Sequence, residues 1–251
     1  MHDSEGGSTM ATILKTGSHG TEVKKLQEAL NAKLKPRPAL VPDSQFGALT
    51  RSAVLAFQRK NWLVEDAEAG PATQSCLYDT EAFTPILHKV AFIAQPTNTT
   101  CWATSTAMMK NSTVPIIIAK TPPDMILPDG SLANSSESDQ AVVTGQRYGR
   151  IHGLRCNAPM SWSVELLRQA LSRGPLMFDM LWRVDEYTAG RGSPGHMIVV
   201  VGMRGDGNPD GTGTTLRIHD PWPPNRGKIY SKGYFKWSVD LPTMTYRVFE
   251  R

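Results

Sequence analysis

The stretch Gln95-Pro-Thr-Asn-Thr-Thr-Cys101-Trp102-Ala103-Thr-Ser-Thr-Ala107-Met108-Met109 decides how the larger part of this chain is read. A polar, proline-containing segment gives way at Cys101 to a run of small residues and methionines, which predicts a helix beginning near Cys101. A thiol at that position meets the exposed N–H groups and positive dipole end of the helix, which favour its anionic, nucleophilic form. Cysteine catalysis also needs a histidine to accept the proton, a third group to orient that histidine, and donors for an oxyanion. Gln95, six residues upstream, carries an amide that can donate to an oxyanion, and the backbone N–H of Cys101 can supply a second donor.

Downstream, Asn111–Ser138 is rich in Pro, Asp and Ser and reads as a long irregular loop. Helices are expected over Asp139–Arg147 and Ser163–Ser172. The second carries Val164, Leu167, Ala170 and Leu171 on one face, takes Ser161 or Ser163 as cap, and stops at Gly174-Pro175. Strands are expected at Leu176–Leu181, Met197–Met203, Thr214–His219, Gly227–Lys236 and Met244–Phe249. Helices first and strands second predict an α+β domain.

His196, after Ser193-Pro194-Gly195, opens one strand, and Asp220 closes the next. A hairpin between these strands brings the two together, so that Asp220 can fix the imidazole tautomer. His219 is the main rival base. As the strand neighbour of Asp220 it points to the opposite face. His152, in a Gly-flanked loop, is a weaker rival. Cys76 and Cys156 read as packing residues. Asp206-Gly-Asn208-Pro-Asp210-Gly211 matches the first half of a calcium loop, but the twelfth position is Arg217 rather than Glu. It reads as a hairpin turn, and neither a metal site nor a cofactor is expected.

Upstream lies an internal echo. Asp43-Ser-Gln-Phe46-Gly47-Ala-Leu-Thr50 and Asp66-Ala-Glu-Ala-Gly70-Pro-Ala-Thr73 both read D-x-x-x-G-x-x-T, 23 residues apart. Each leads into a helical segment, Ala53–Lys60 and Gln74–Tyr78, with Thr50 or a neighbour expected to cap the first and Thr73 the second. An earlier helix over Glu22–Leu34 places Val23, Leu26, Ala29 and Leu30 on one face. Three short helices joined by Gly-centred turns are expected.

Composition bounds the rest. The chain has 251 residues, 40% hydrophobic and 20% charged, so folded domains with real cores are expected. Apolar runs reach only about five residues, at Pro115–Ala119 and Met197–Val201, whereas a membrane span needs about 20. The net charge of +4 comes from residues 83–251, without basic runs or interleaved aromatics, which argues against a nucleic-acid partner. Met1–Met10 is polar, with Asp3 and Glu5, and no secretory signal peptide is expected there. Three cysteines without C-x-x-C spacing leave at least one free thiol.

Leu26-Gln27, Phe46-Gly47-Ala-Leu-Thr50, Ala53-Val54 and Phe57-Gln58 resemble the peptidoglycan-binding module of cell-wall hydrolases over about 70 residues. The sequence departs from that pattern at Lys35–Pro42, where a shorter link is usual, and at Asp66-Ala67, where Asp-Gly is common. That resemblance implies wall-binding residues near the first loop, with Asp43, Phe46 and Thr50 as candidates. Gln95, Cys101-Trp102, Gly195-His196 and an acid followed by Trp222 resemble the papain-like cysteine peptidases over about 160 residues. The likeness is nearest to bacterial members among bacteriocin-processing peptidases and secreted effectors. It implies Cys101 as nucleophile, His196 as general acid/base, Asp220 as orienter and Gln95 as oxyanion donor.

The expected organisation is a disordered tail over 1–11, a three-helix peptidoglycan-binding bundle over 12–80, a linker over 81–92, and an α+β papain-like cysteine peptidase domain over 93–251. In that domain the helix bearing Cys101 packs on an antiparallel sheet. The expected function is an antibacterial cysteine peptidase with a wall-targeting module, exported without a signal peptide by a type VI-like apparatus and delivered to the periplasm or cytoplasm of a target bacterium. A cognate immunity protein is then expected. The alternatives are a peptidoglycan amidase, endopeptidase or phage-type lysin, and a non-catalytic wall-binding adaptor.

Overall fold

A computed structural model of the chain describes residues 12–133, 138–157, 160–181, 195–240 and 247–251. The tail expected over 1–11, and Ser193 and Pro194 before His196, lie outside the described residues. Residues 12–80 are helical: α1 (Thr21–Lys33), α2 (Ala48–Lys60) and α3 (Pro71–Leu77). Val23, Leu26 and Leu30 of α1 meet Val54 and Phe57 of α2 and Leu77 of α3 in one core. Phe46, from the loop, is buried in the same cluster.

Each D-x-x-x-G-x-x-T loop wraps around a buried glutamine from a preceding helix. Gln27 Nε2 donates to Asp43 Oδ1, the Gln45 carbonyl and Thr50 Oγ1, while its Oε1 accepts from the Ser44 N–H. Gln58 repeats the set with Asp66 Oδ1, the Glu68 carbonyl, Thr73 Oγ1 and the Ala67 N–H. This corrects the capping expectation. Gly47 and Gly70 occupy the N-cap positions, and Thr50 and Thr73 sit three residues further in as hydrogen-bond acceptors. The residues after the aspartates, Ser44 and Ala67, have φ of 66° and 64°. The left-handed backbone there explains why Asp-Gly suits this turn.

The second domain holds a sheet of order β2 (Arg155–Asn157), β7 (Arg247–Glu250), β3 (Leu176–Leu181), β4 (Gly195–Gly205), β5 (Thr214–Asp220), β6 (Lys228–Gly233), antiparallel throughout. Strand alternation divides the core. Leu176, Phe178, Ile198, Val200, Leu216 and Ile218 face α7 (Val164–Arg173) and α8 (Tyr234–Asp240). Met177, Met197, Val199, Val201 and Phe249 face α4 (Cys101–Lys110), α5 (Val114–Lys120) and α6 (Ser138–His152).

Several boundaries differ from expectation. The stretch read as loop contains α5, whose Pro115 sits in the first turn where its missing N–H costs nothing, and a 3₁₀ turn at Pro123–Met125. Residues 134–137 of that stretch are outside the described residues. The expected strand Gly227–Lys236 stops at Gly233, because Tyr234 and Trp237, three apart, bury as one helical face. The last strand is described from Arg247, with 241–246 outside the described residues. Ser163 caps α7, accepting from the Leu166 N–H.

The stretch expected as a linker runs along β4. Ile86–Leu87 (β1) pairs with Met203 and Gly202. A Cβ at Gly202 would lie 2.7 Å from the Ile86 carbonyl oxygen, so only glycine admits this strand. The two domains are joined through Arg204 of β4, which is buried. It donates to both Glu81 carboxylate oxygens at 2.7 Å, to the Asn61 carbonyl at 2.6 Å and to Cys76 Sγ at 2.9 Å, and it lies over the Trp62 ring. Ser231 Oγ donates to the Trp62 carbonyl beside it. Among the described residues no helix is long and apolar enough to cross a membrane.

Candidate active site

Cys101 is the first residue of α4 and is half-buried. One turn further on, Ser105 Oγ donates to the Met197 carbonyl at 2.8 Å and docks the helix against the start of β4. Trp102 is buried and donates from Nε1 to the Gly130 carbonyl. Thr99 Oγ1 donates to the Asp129 carbonyl, which ties the loop before Cys101 to the 127–132 turn.

His196, the second residue of β4, is buried. Its Nε2 lies 2.7 Å from Asp220 Oδ1, at the end of β5. The same Oδ1 accepts from the Trp222 N–H at 2.9 Å, which holds the carboxylate in place. With Nε2 turned to Asp220, Nδ1 is the ring nitrogen left for the Cys101 thiol, which is also hydrogen-bonded to His196. Burial pulls the imidazole pKa down, but the hydrogen bonds to Asp220 and Cys101 outweigh it and push it up to about 9. The arrangement favours an imidazolium between two groups that carry or develop negative charge.

Gln95 is fully buried. Its N–H donates to the Pro221 carbonyl and its carbonyl accepts from the Asn225 N–H, so the loop after Asp220 fixes it. Nε2 donates to the Thr97 carbonyl at 2.6 Å, and Oε1 has no partner among the described residues.

The remaining candidates are engaged elsewhere. His219 packs edge-on against Phe92, and burial holds it down at about 4. His152 shares a hydrogen bond with Thr121 Oγ1, packs on Tyr148 and is likewise held at about 4 by burial. Burial pushes the Cys76 and Cys156 thiols up to about 11. The Asp206–Gly211 loop closes on itself: Asp206 Oδ1 accepts from the Asn208 N–H and Asp210 Oδ1 from the Thr212 N–H. In the first domain, Phe46 and Thr50 are each 2% exposed and Asp43 is held by Gln27. The side chains of Phe46 and Thr50 are buried, whereas Asp43 is exposed.

The sequence reading missed the walls of the cleft. A cavity of about 220 Å³ opens beside Cys101 and Trp102, with Leu127, Asp129 and Ser131 on one side and Asp179 and Arg247 beneath. Asp179 and Arg247 face each other across β3 and β7 as a buried ion pair, Arg247 Nε donating to Asp179 Oδ2 at 2.8 Å. The signal available was a lone acid inside the apolar run Leu176–Leu181.

A helix carrying a thiol, laid on an antiparallel sheet that presents a histidine bonded to it, defines a cysteine hydrolase of papain-like layout. Residues 85–236 match the family described as "Papain-like cysteine protease AvrRpt2", and the chain belongs to that family. Residues 19–77 match the "Putative peptidoglycan binding domain" family. A curated relative, the "Probable N-acetylmuramoyl-L-alanine amidase" of Bacillus licheniformis, is 37% identical over 79 residues. That match covers 32% of this chain and 22% of the relative. The crystal structure of a Burkholderia AP3 phage endolysin is similar at 25% identity over 46% of this chain and 43% of that one, with a TM-score of 0.25.

Proposed function

We propose that this protein is a wall-targeted cysteine hydrolase that cleaves amide bonds in the peptide part of peptidoglycan. The observation that carries the reading is His196, bonded on one side to Asp220 and on the other to Cys101, in a chain that also holds a peptidoglycan-binding domain. The Cys101 thiolate attacks the amide carbonyl carbon, and the charge developing on oxygen is met by the Cys101 N–H and the Gln95 side chain. His196 gives its proton to the leaving nitrogen as the C–N bond breaks, leaving a thioester. Water then loses a proton to His196 and attacks, and the C–S bond breaks to release the carboxylic acid and restore the thiolate. Asp220 holds the imidazole in register throughout.

A second reading is a protein substrate inside a target bacterium, with export by a contact-dependent apparatus and a cognate immunity protein; the protease family of the catalytic domain supports its substrate class alone. One experiment separates the two. Sacculi and a cell lysate are incubated with the protein and with Cys101→Ala, and the fragments are compared by mass spectrometry. Soluble muropeptides that require Cys101 are the expected result. New protein termini with intact sacculi would replace the wall reading by the second, and no Cys101-dependent product in either would defeat both.

A further inference from the structure

The stretch that departs most from the usual module, Lys35–Pro42, builds a groove. Leu34 and Leu40 anchor it in the core. Asn31, near the end of α1, clamps it with two buried bonds, Nδ2 to the Leu40 carbonyl at 2.8 Å and the Leu40 N–H to Oδ1 at 2.9 Å. Between these anchors Pro36 and Pro38 form a stiff arm, because each ring restricts the backbone and offers no N–H to a neighbouring element. Opposite the arm, α2 presents Ser52, Ala53 and Ala56, side chains too small to fill the space. Leu49, 74% exposed, stands at one end. The result is an open groove of about 570 Å³, apolar in its walls and floor, whose charged lining residues are Lys35, Arg59 and Lys60. Arg59 is turned to Glu65 at 2.8 Å. Lys35 and Lys60 therefore supply the positive rim, and among the described residues no acid lines the groove.

We propose that this groove is where the module takes its ligand, and that the ligand is a muramoyl-peptide segment of a peptidoglycan strand. The proposal rests on the wall-targeting part of the reading above and moves the binding site away from the Asp43–Thr50 loop. The charge pattern selects the occupant. Stem-peptide carboxylates meet the two lysines, and the acetamido and lactyl methyl groups of the glycan lie against Pro36, Pro38 and the alanines. In the neighbouring D-x-x-x-G-x-x-T loops Thr50 and Thr73 are buried on Gln27 and Gln58, and the exposed Asp43 and Asp66 would repel stem-peptide carboxylates.

The test is retention of the full chain on purified sacculi, carried out in the Cys101→Ala background so that the support is not degraded. Ala56→Trp fills the groove from an exposed helical position, and Lys35→Glu with Lys60→Glu reverses its rim. Each is expected to weaken retention about tenfold. Circular dichroism melting of each variant, expected to match the parent, guards against misfolding. Retention equal to the parent in both variants, or no retention of the parent, would overturn the proposal. The same groove variants carrying Cys101 are expected to cleave soluble stem peptides at the parent rate. Loss of sacculus retention with that cleavage intact isolates the groove. Full retention with no cleavage by the parent would defeat the catalytic reading and leave the groove standing.

Discussion

Gln58 in the first domain and Gln95 in the second are the same residue type, and both are fully buried, yet they are used in opposite ways. The Gln58 amide makes three donor bonds and accepts one, and its loop folds shut around it. Gln95 makes one side-chain bond and leaves Oε1 without a partner among the described residues, beside the loop that leads to Cys101. A closed set of hydrogen bonds stabilises, and an open one costs stability. The two domains differ along this line, one built on repeated, satisfied knots and the other holding a buried glutamine whose amide nitrogen is bonded while its oxygen is not.

The contrast can be broken first at Cys101. Cys101→Ala is expected to lower kcat/KM by about 10⁴-fold or more, with a melting temperature within about 2 °C of the parent. A large loss of stability in calorimetry would mean that the thiol is structural. Gln58→Ala is expected to destabilise the first domain by about 2–3 kcal/mol, because it strips a buried bond from each of Asp66, Thr73 and the Glu68 carbonyl and leaves the Ala67 N–H without its acceptor. Denaturant melts would show this, while cleavage of soluble peptides stays at the parent rate.

His196 sharpens the comparison through pH. Its pKa is raised from 6.5 to about 9, so the stability it contributes is complete below about pH 6.5 and is lost as pH rises through about 9. The parent should lose about 3 kcal/mol over that window. Asp220→Asn should flatten the loss, and melts at pH 6.5 and 9.5 check it. Gln95→Ala is expected to lower kcat about a hundredfold with little change in KM or in stability, the inverse of Gln58→Ala. Equal loss of stability in the two glutamine variants would end the contrast.

Much of this was legible along the chain. A thiol heading a helix, a histidine opening a strand and an acid closing the next are local patterns, each signalled within a few residues by Pro, Gly or an apolar run. The three helices of the first domain were legible for the same reason. What escaped notice needed partners distant in sequence. Thr50 and Thr73 read as caps because their acceptor role depends on Gln27 and Gln58, 23 and 15 residues away. β1 and β2 are too short to show a period, and α5 was hidden by its proline. Asp179 and Arg247, 68 residues apart, meet only because β3 and β7 pair in register.

The sequence by itself determined the two domain types and the residues able to do chemistry, because turn chemistry and hydrophobic period act over a few residues. Only the tertiary structure decided which polar atoms close on one another. It joined His196 to Asp220, seated Arg204 between the domains, buried Phe46 and Thr50, and left open a groove along Lys35–Leu40. Each of those outcomes depends on how elements dock, and docking is set by the summed burial of many side chains rather than by any local motif.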